Sequence, residues 1–192
     1  MNSIKECFNI VLNGDEGESR LAARKVRKIL YGARPANDDF LDIKNIINDA
    51  HFEYAKIFEE WRRENFVMAV SVIYFLHEKE INRDFLFPWL FELLQHSNGN
   101  IRQSAVRMFQ TEIGPLTVHI RCPERKQSKS IAARNDVILR DLFASLNGLL
   151  TMYWKPEYDK YKYIASLPSC PYKSVQLVLA ELEDSSDREY YS

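Results

Sequence analysis

The sequence predicts an all-α fold. Three observations carry that prediction. Apolar residues recur at helical spacing in almost every segment. The 6 Gly and 7 Pro fall between those periodic segments. Alternation of the kind that marks a half-buried strand is weak and confined to "LTVHI", residues 116–120. The expectation is at least seven helices in a single domain spanning 1–192, with any strand limited to 116–120.

Ile4, Cys7, Phe8, Val11 and Leu12 keep helical spacing, and Gly14 stops that helix. "DEGESRLAARKVRKILYG" opens a second helix, whose Ala22, Ala23, Val26, Ile29 and Leu30 share one face. "ARPAND" reads as a linker, with Asp38 or Asp39 able to cap the next helix. Phe40, Ile43, Ile47, Ala50, Tyr54, Ile57 and Trp61 step by three and four in turn, a continuous helical stripe. Breaks are expected near Asn48 and Asp49 and again near Arg63. Residues 66–76 are apolar almost all round, so this helix is expected at the centre, covered on several sides.

Asp84 can cap a helix carrying Leu86, Leu90, Leu93 and Leu94. Asn98 and Gly99 turn the chain. Ile101, Ala105, Met108, Phe109 and Ile113 make the next apolar face, which Gly114 and Pro115 end. Residues 114–134 lack a clear helical period and read as a long loop. Val137, Ile138, Leu142, Leu146, Leu149 and Tyr153 define another helix, and Val175, Val178, Leu179 and Leu182 the last, within 134–183. The polar tail 184–192 is expected to fray.

A chain of 192 residues fits one domain with a sizeable core. Its 26 Lys and Arg balance 27 Asp and Glu, so no global charge announces a nucleic-acid or membrane partner. Cys7, Cys122 and Cys170 are far apart and form no CxxC pair. The sparse, odd count points to a reducing compartment. "MNSIKECFNI" lacks the pattern of a signal peptide, and the 11-residue run "FVMAVSVIYFL" is too short to span a bilayer. The expected location is the cytoplasm, with no membrane partner.

"DEGESRLAARKVRKIL" and "SNGNIRQSAVRMFQTEI" share an order. Each has an apolar helix before it, a short polar turn, an Arg, an Ala three residues later and an apolar ending. Arg20 and Arg102 are 82 residues apart, as are Ala23 and Ala105. Two units of about 41 residues fit that interval, a period typical of helical-hairpin repeats. In this the chain resembles the HEAT-repeat family, over roughly 3–113 and most clearly at 3–31 and 84–113. The resemblance implies antiparallel helical hairpins at 3–31, 38–80 and 84–113, forming a short right-handed solenoid. It departs at Arg27, where the register of Phe109 asks for an apolar residue, and 135–183 carries no motif.

No HExxH, GxSxG, P-loop or GxGxxG occurs, and His51, His77 and His119 are isolated. Glu92 and His96 share a helical face, but no second pair completes a metal site, and they read as a polar helix edge. Cys122, between Arg121 and Arg125, reads as a loop cysteine, with an activated thiol as the alternative. No catalytic residue, metal or cofactor is expected.

The basic clusters carry more. On the second helix Arg20, Arg24, Arg27 and Lys28 lie opposite the apolar face as a cationic stripe. Arg121, Arg125, Lys126, Lys129 and Arg134 cluster in the expected loop. The HEAT resemblance implies that the stripe faces a concave groove. Basic grooves attract phosphates and acidic peptides alike; a solvated helix face is the plainer reading. Trp61 and Trp89 lie on apolar faces and read as core. "MYWKPEYDKYKY", residues 152–163, mixes aromatic and basic side chains. That suits a structural or interface role first, and stacking on a single strand second.

Two functions compete. The first is a non-catalytic module or scaffold that binds another protein. The second is a nucleic-acid-binding protein. Some HEAT-like proteins are DNA glycosylases for alkylated bases, with an aromatic-lined, carboxylate-bearing groove. A continuous basic groove with an exposed Trp and a nearby carboxylate would favour the enzyme, and a mixed or apolar groove the protein-binding module.

Overall fold

The computed structural model describes the backbone of residues 3–32, 37–76, 84–125 and 128–186. Every regular element among them is helical. The α-helices are α1 (Ile4–Asn13), α2 (Glu16–Gly32), α3 (Asn37–Asn48), α4 (Ala50–Ala55), α5 (Glu60–Ile73), α6 (Phe87–Leu94), α7 (Gly99–Leu116), α8 (Val118–Arg121), α9 (Lys129–Tyr153) and α10 (Pro171–Ser186). They gather into two units, Met1–Trp89 and Leu90–Ser192.

In the first unit α1 opens on Ser3, whose hydroxyl accepts from the Glu6 N–H while the Glu6 carboxylate accepts from the Ser3 N–H. Gly14 ends the helix by donating its N–H to Ile10 O at 2.8 Å. A Cβ at Gly14 would itself lie 2.8 Å from that oxygen, so a larger residue cannot make this turn undistorted. Asp15 and Glu18 then repeat the reciprocal cap at the start of α2. The α3 break falls at Asn48, as expected, but the next lies at 56–59, earlier than Arg63. The apolar stripe survives both breaks: Ile43, Ile47, Ala50, Tyr54 and Ile57 are buried, while Phe40 is exposed. Helix α5 is the centre of this unit and packs on α1, α2, α3 and α4. Phe66, Val67, Ala69, Val70 and Ile73 are buried, and the helix tightens into a 3-10 turn at Tyr74–Leu76. Trp89 is buried edge-on to Tyr54, and the half-buried Trp61 lies under the Arg62 guanidinium.

In the second unit α7 packs on α9 and α10. Asn98 caps it through Oδ1, which accepts from the N–H groups of Asn100 and Ile101. Gly114 and Pro115 do not end α7, contrary to the sequence expectation. The helix runs on to Leu116, with Pro115 in its last turn. Pro115 brings no N–H to the helix, and Thr117 closes the last turn by donating both its N–H and its hydroxyl to Ile113 O. Residues 116–120 form no strand; they finish α7 and enter α8. The long loop is corrected too. Ser128 caps α9 through its side chain, so helix resumes at Lys129. In α9 Val137, expected on the apolar face, is exposed, and Leu139 is buried. Helix α10 continues through Ser186, because Leu182 and Ser185 lie on its buried face; fraying does not begin at 184.

In the two stretches related by 82 residues, four corresponding positions are buried, each within its own unit. Ser19, Ala22, Ala23 and Val26 are buried on α2, as are Ile101, Ser104, Ala105 and Met108 on α7. They diverge elsewhere: Arg20 and Arg27 are exposed, whereas Arg102 and Phe109 are buried.

Candidate functional site

The site begins with how α2 is anchored. Ser19, fully buried, donates its hydroxyl to Val11 O at 2.9 Å and accepts from Asn65 Nδ2 at 3.2 Å. Arg62, from α5, donates Nη1 to Leu12 O and to Gly14 O, the latter at 3.0 Å. These bonds satisfy carbonyls that the end of α1 leaves open. They hold the apolar side of α2 inward and turn its other side to solvent.

That outer side carries Arg20, Arg24, Lys25, Arg27 and Lys28, all exposed. With about 100° per residue, Leu21 stands among Arg24, Lys25 and Lys28. Leu21 is 67% exposed. Beside it opens a groove of about 460 Å³ lined by Ile10, Asn13, Gly14, Leu21, Ala22 and Lys25, with Cys7 and Glu18 also contributing. Burial pushes the Cys7 thiol up; Lys25 opposes the rise and Glu6 adds to it. A raised, buried thiol is a poor nucleophile at neutral pH. The chemistry here is that of a binding surface: an apolar foothold with cations beside it.

In the second predicted cluster the described side chains have different roles. Arg121 turns inward, with Nη2 donating to Gly114 O at 2.7 Å and Nε to Thr117 Oγ1 at 3.1 Å. It secures the end of α7. Arg125 is exposed in the turn after α8, and Lys129 and Arg134 are exposed on α9. Lys126 lies outside the described residues, as does His77. The α2 stripe belongs to the first unit and these residues to the second.

His96 Nδ1 accepts from the Asn98 N–H at 3.0 Å, past the end of α6, so the helical face it was expected to share with Glu92 has ended. His119 Nε2 lies 2.7 Å from Asp136 Oδ1, and His51 packs on Phe52. No group of three or more His, Cys, Asp or Glu able to hold a metal occurs among the described residues. The three cysteines are free. No described helix is long and apolar enough to cross a membrane.

The sequence reading missed Leu21, although the helical wheel that gathers the cations also places it among them. It missed Arg62 for a different reason: its partners lie about fifty residues earlier in the chain.

Comparison with protein-family models, curated proteins and solved structures gave no match.

Proposed function

We propose that this chain is a non-catalytic HEAT-like binding module, a short right-handed solenoid of helical hairpins, whose α2 surface receives an acidic segment of another protein. The corresponding buried positions at 19–26 and 101–108 support the repeat reading. The observation that carries the binding reading is Leu21, exposed among Arg24, Lys25 and Lys28 beside an open groove. An exposed apolar side chain within a charged surface suits an amphipathic acidic partner: its apolar residue enters the groove and its carboxylates meet the cations. Three free cysteines suit a reducing compartment such as the cytoplasm.

Nucleic acid is the competing partner for the same cations. The α1–α2 groove has no Trp among its lining residues, and its mixed lining favours protein. The test is fluorescence anisotropy across a salt series, with a labelled Glu- and Leu-rich helical peptide and with labelled single- and double-stranded oligonucleotides. The peptide is expected to bind, and both Leu21→Ser and the double change Arg24→Glu with Lys28→Glu to weaken it at least tenfold. At about 150 mM salt, duplex is expected to show little or no binding, weaker than the roughly 1–100 µM of a nonspecific binder. Micromolar oligonucleotide binding that the double change abolishes, with no peptide binding, overturns the protein reading.

A further inference from the structure

The aromatic segment after α9 is not used by the α2 surface. Between α9 and α10 the chain makes two short 3-10 turns, Pro156–Lys160 and Ile164–Ser166. They curl Trp154, Tyr158, Tyr161 and Tyr163 with Tyr172 of α10 around a pocket of about 250 Å³. Pockets for drug-sized ligands run from about 300 to 1,000 Å³, so this one suits a single ring system.

Three properties of the wall define what fits. First, it offers aromatic surface. Trp154 and Tyr163 are 47% and 64% exposed, while Tyr158 stacks on Tyr172 at 4.9 Å. Second, an amide fixes one of the rings. Gln176 Nε2 donates to Tyr172 Oη at 3.1 Å, and its buried Oε1 finds no hydrogen-bond partner among the described residues. The amide holds the Tyr172 ring in the wall. Third, it is charged at its edge: Asp159 and Lys162 line it, and Lys155 and Lys160 flank it in sequence. Lys160 and Lys162 already lie 5.0 and 5.4 Å over the Tyr161 and Tyr163 rings. Those resident ammonium groups disfavour a cationic guest and favour a planar one carrying negative charge.

We infer that the pocket of Trp154, Tyr163, Tyr172, Gln176, Asp159 and Lys162 binds a nucleotide unit: a base stacked on the aromatic rings, its edge toward Asp159, its phosphate toward the lysines. Aromatic platforms with neighbouring cations bind single-stranded bases in this manner. The Asp159 carboxylate accepts hydrogen bonds and can meet an N–H on the edge of any base, so the preference among bases is set by stacking area, and adenine offers more ring surface than uracil or thymine. The unit can come from a free mononucleotide or from a single strand, and the experiment separates the two.

Titrate the full chain with AMP and UMP by calorimetry, and with labelled oligo-dA, oligo-dC and oligo-dT by anisotropy. AMP is expected to bind at least fivefold more tightly than UMP, or oligo-dA than oligo-dT. Comparable affinity for AMP and oligo-dA identifies a free nucleotide; binding of the strand alone identifies single-stranded nucleic acid. Trp154→Ala or Tyr163→Ala is expected to weaken binding about tenfold, whereas Tyr163→Phe keeps the ring and the affinity. Both positions are exposed, so the variants should fold, as circular dichroism will register. The Arg24→Glu, Lys28→Glu protein is expected to bind these probes unchanged, which separates this site from the α2 reading. The inference is overturned by no binding at millimolar nucleotide in low salt, by thymine and uracil binding as well as adenine, or by binding lost in the α2 double variant but retained in Trp154→Ala.

Discussion

Arg102 Nη2 donates to Ser169 Oγ at 2.8 Å, while its Nη1 donates to His96 O at 2.6 Å and Ser97 O at 2.7 Å. One buried guanidinium thus ties the carbonyls before α7 to the segment that leads into α10. Burial pulls its pKa below the usual guanidinium value, yet arginine remains charged in proteins. Arg102→Ala should therefore cost roughly 2–4 kcal/mol, because the partners lose charge-assisted bonds. Arg20→Ala, 82 residues earlier in the chain and exposed, should stay within about 0.5 kcal/mol. Urea denaturation of both variants checks this; equal losses would mean that the two arginines do the same work.

Ile73 is fully buried on α5, the helix on which α1, α2, α3 and α4 converge. Ile73→Ala should cost about 2–5 kcal/mol through lost burial and the cavity left behind. A loss below about 1 kcal/mol in chemical denaturation would remove α5 from the core.

Limited trypsin digestion should distinguish helix from turn between 118 and 140. Arg125 is exposed in a turn, whereas Lys129 and Arg134 are held in α9. Cleavage after Arg125 should therefore precede cleavage after Lys129 or Arg134, as timed mass spectrometry will report. Early cuts at Arg134 would mean that the first turns of α9 open easily.

Tyr158 gives a pH signature. A hydrogen bond to the Cys170 side chain, then burial, then nearby charge push its pKa from 10.0 up to about 12. Between those values the folded chain keeps a proton that the unfolded chain loses, so stability falls as pH rises from about 10 to 12. Below pH 10 both forms are protonated and this group adds no pH dependence. Stability measured at pH 9 and pH 11.5 should drop more in the wild type than in Tyr158→Phe. An equal drop would show that Tyr158 ionises normally.

The sequence alone determined the helical class and most buried faces. Ile4, Cys7, Phe8 and Val11, then Val175, Val178, Leu179 and Leu182, are all buried as their spacing requires. Burying one side of a helix forces a period near 3.6 whatever the helix packs against. The exposed cations of α2 obey the same rule. What failed were helix ends. Pro115 reads as a stop, yet Thr117 and Arg121 satisfy the carbonyls around it. Residues 129–134 read as loop, because their polar surface hides the Ser128 cap.

Only tertiary structure decided which arginine is a ligand candidate and which is a strut. Arg20 and Arg102 sit in similar sequence contexts 82 residues apart, and Arg121 lies in a basic cluster. Arg102 and Arg121 nevertheless spend their guanidinium groups on backbone carbonyls. A side chain's partners depend on which carbonyls the fold brings within about 3 Å of it. The tyrosine pocket is of the same kind. Its residues are legible at 154–163, but Tyr172 and Gln176 join them only once α10 folds back alongside the turns.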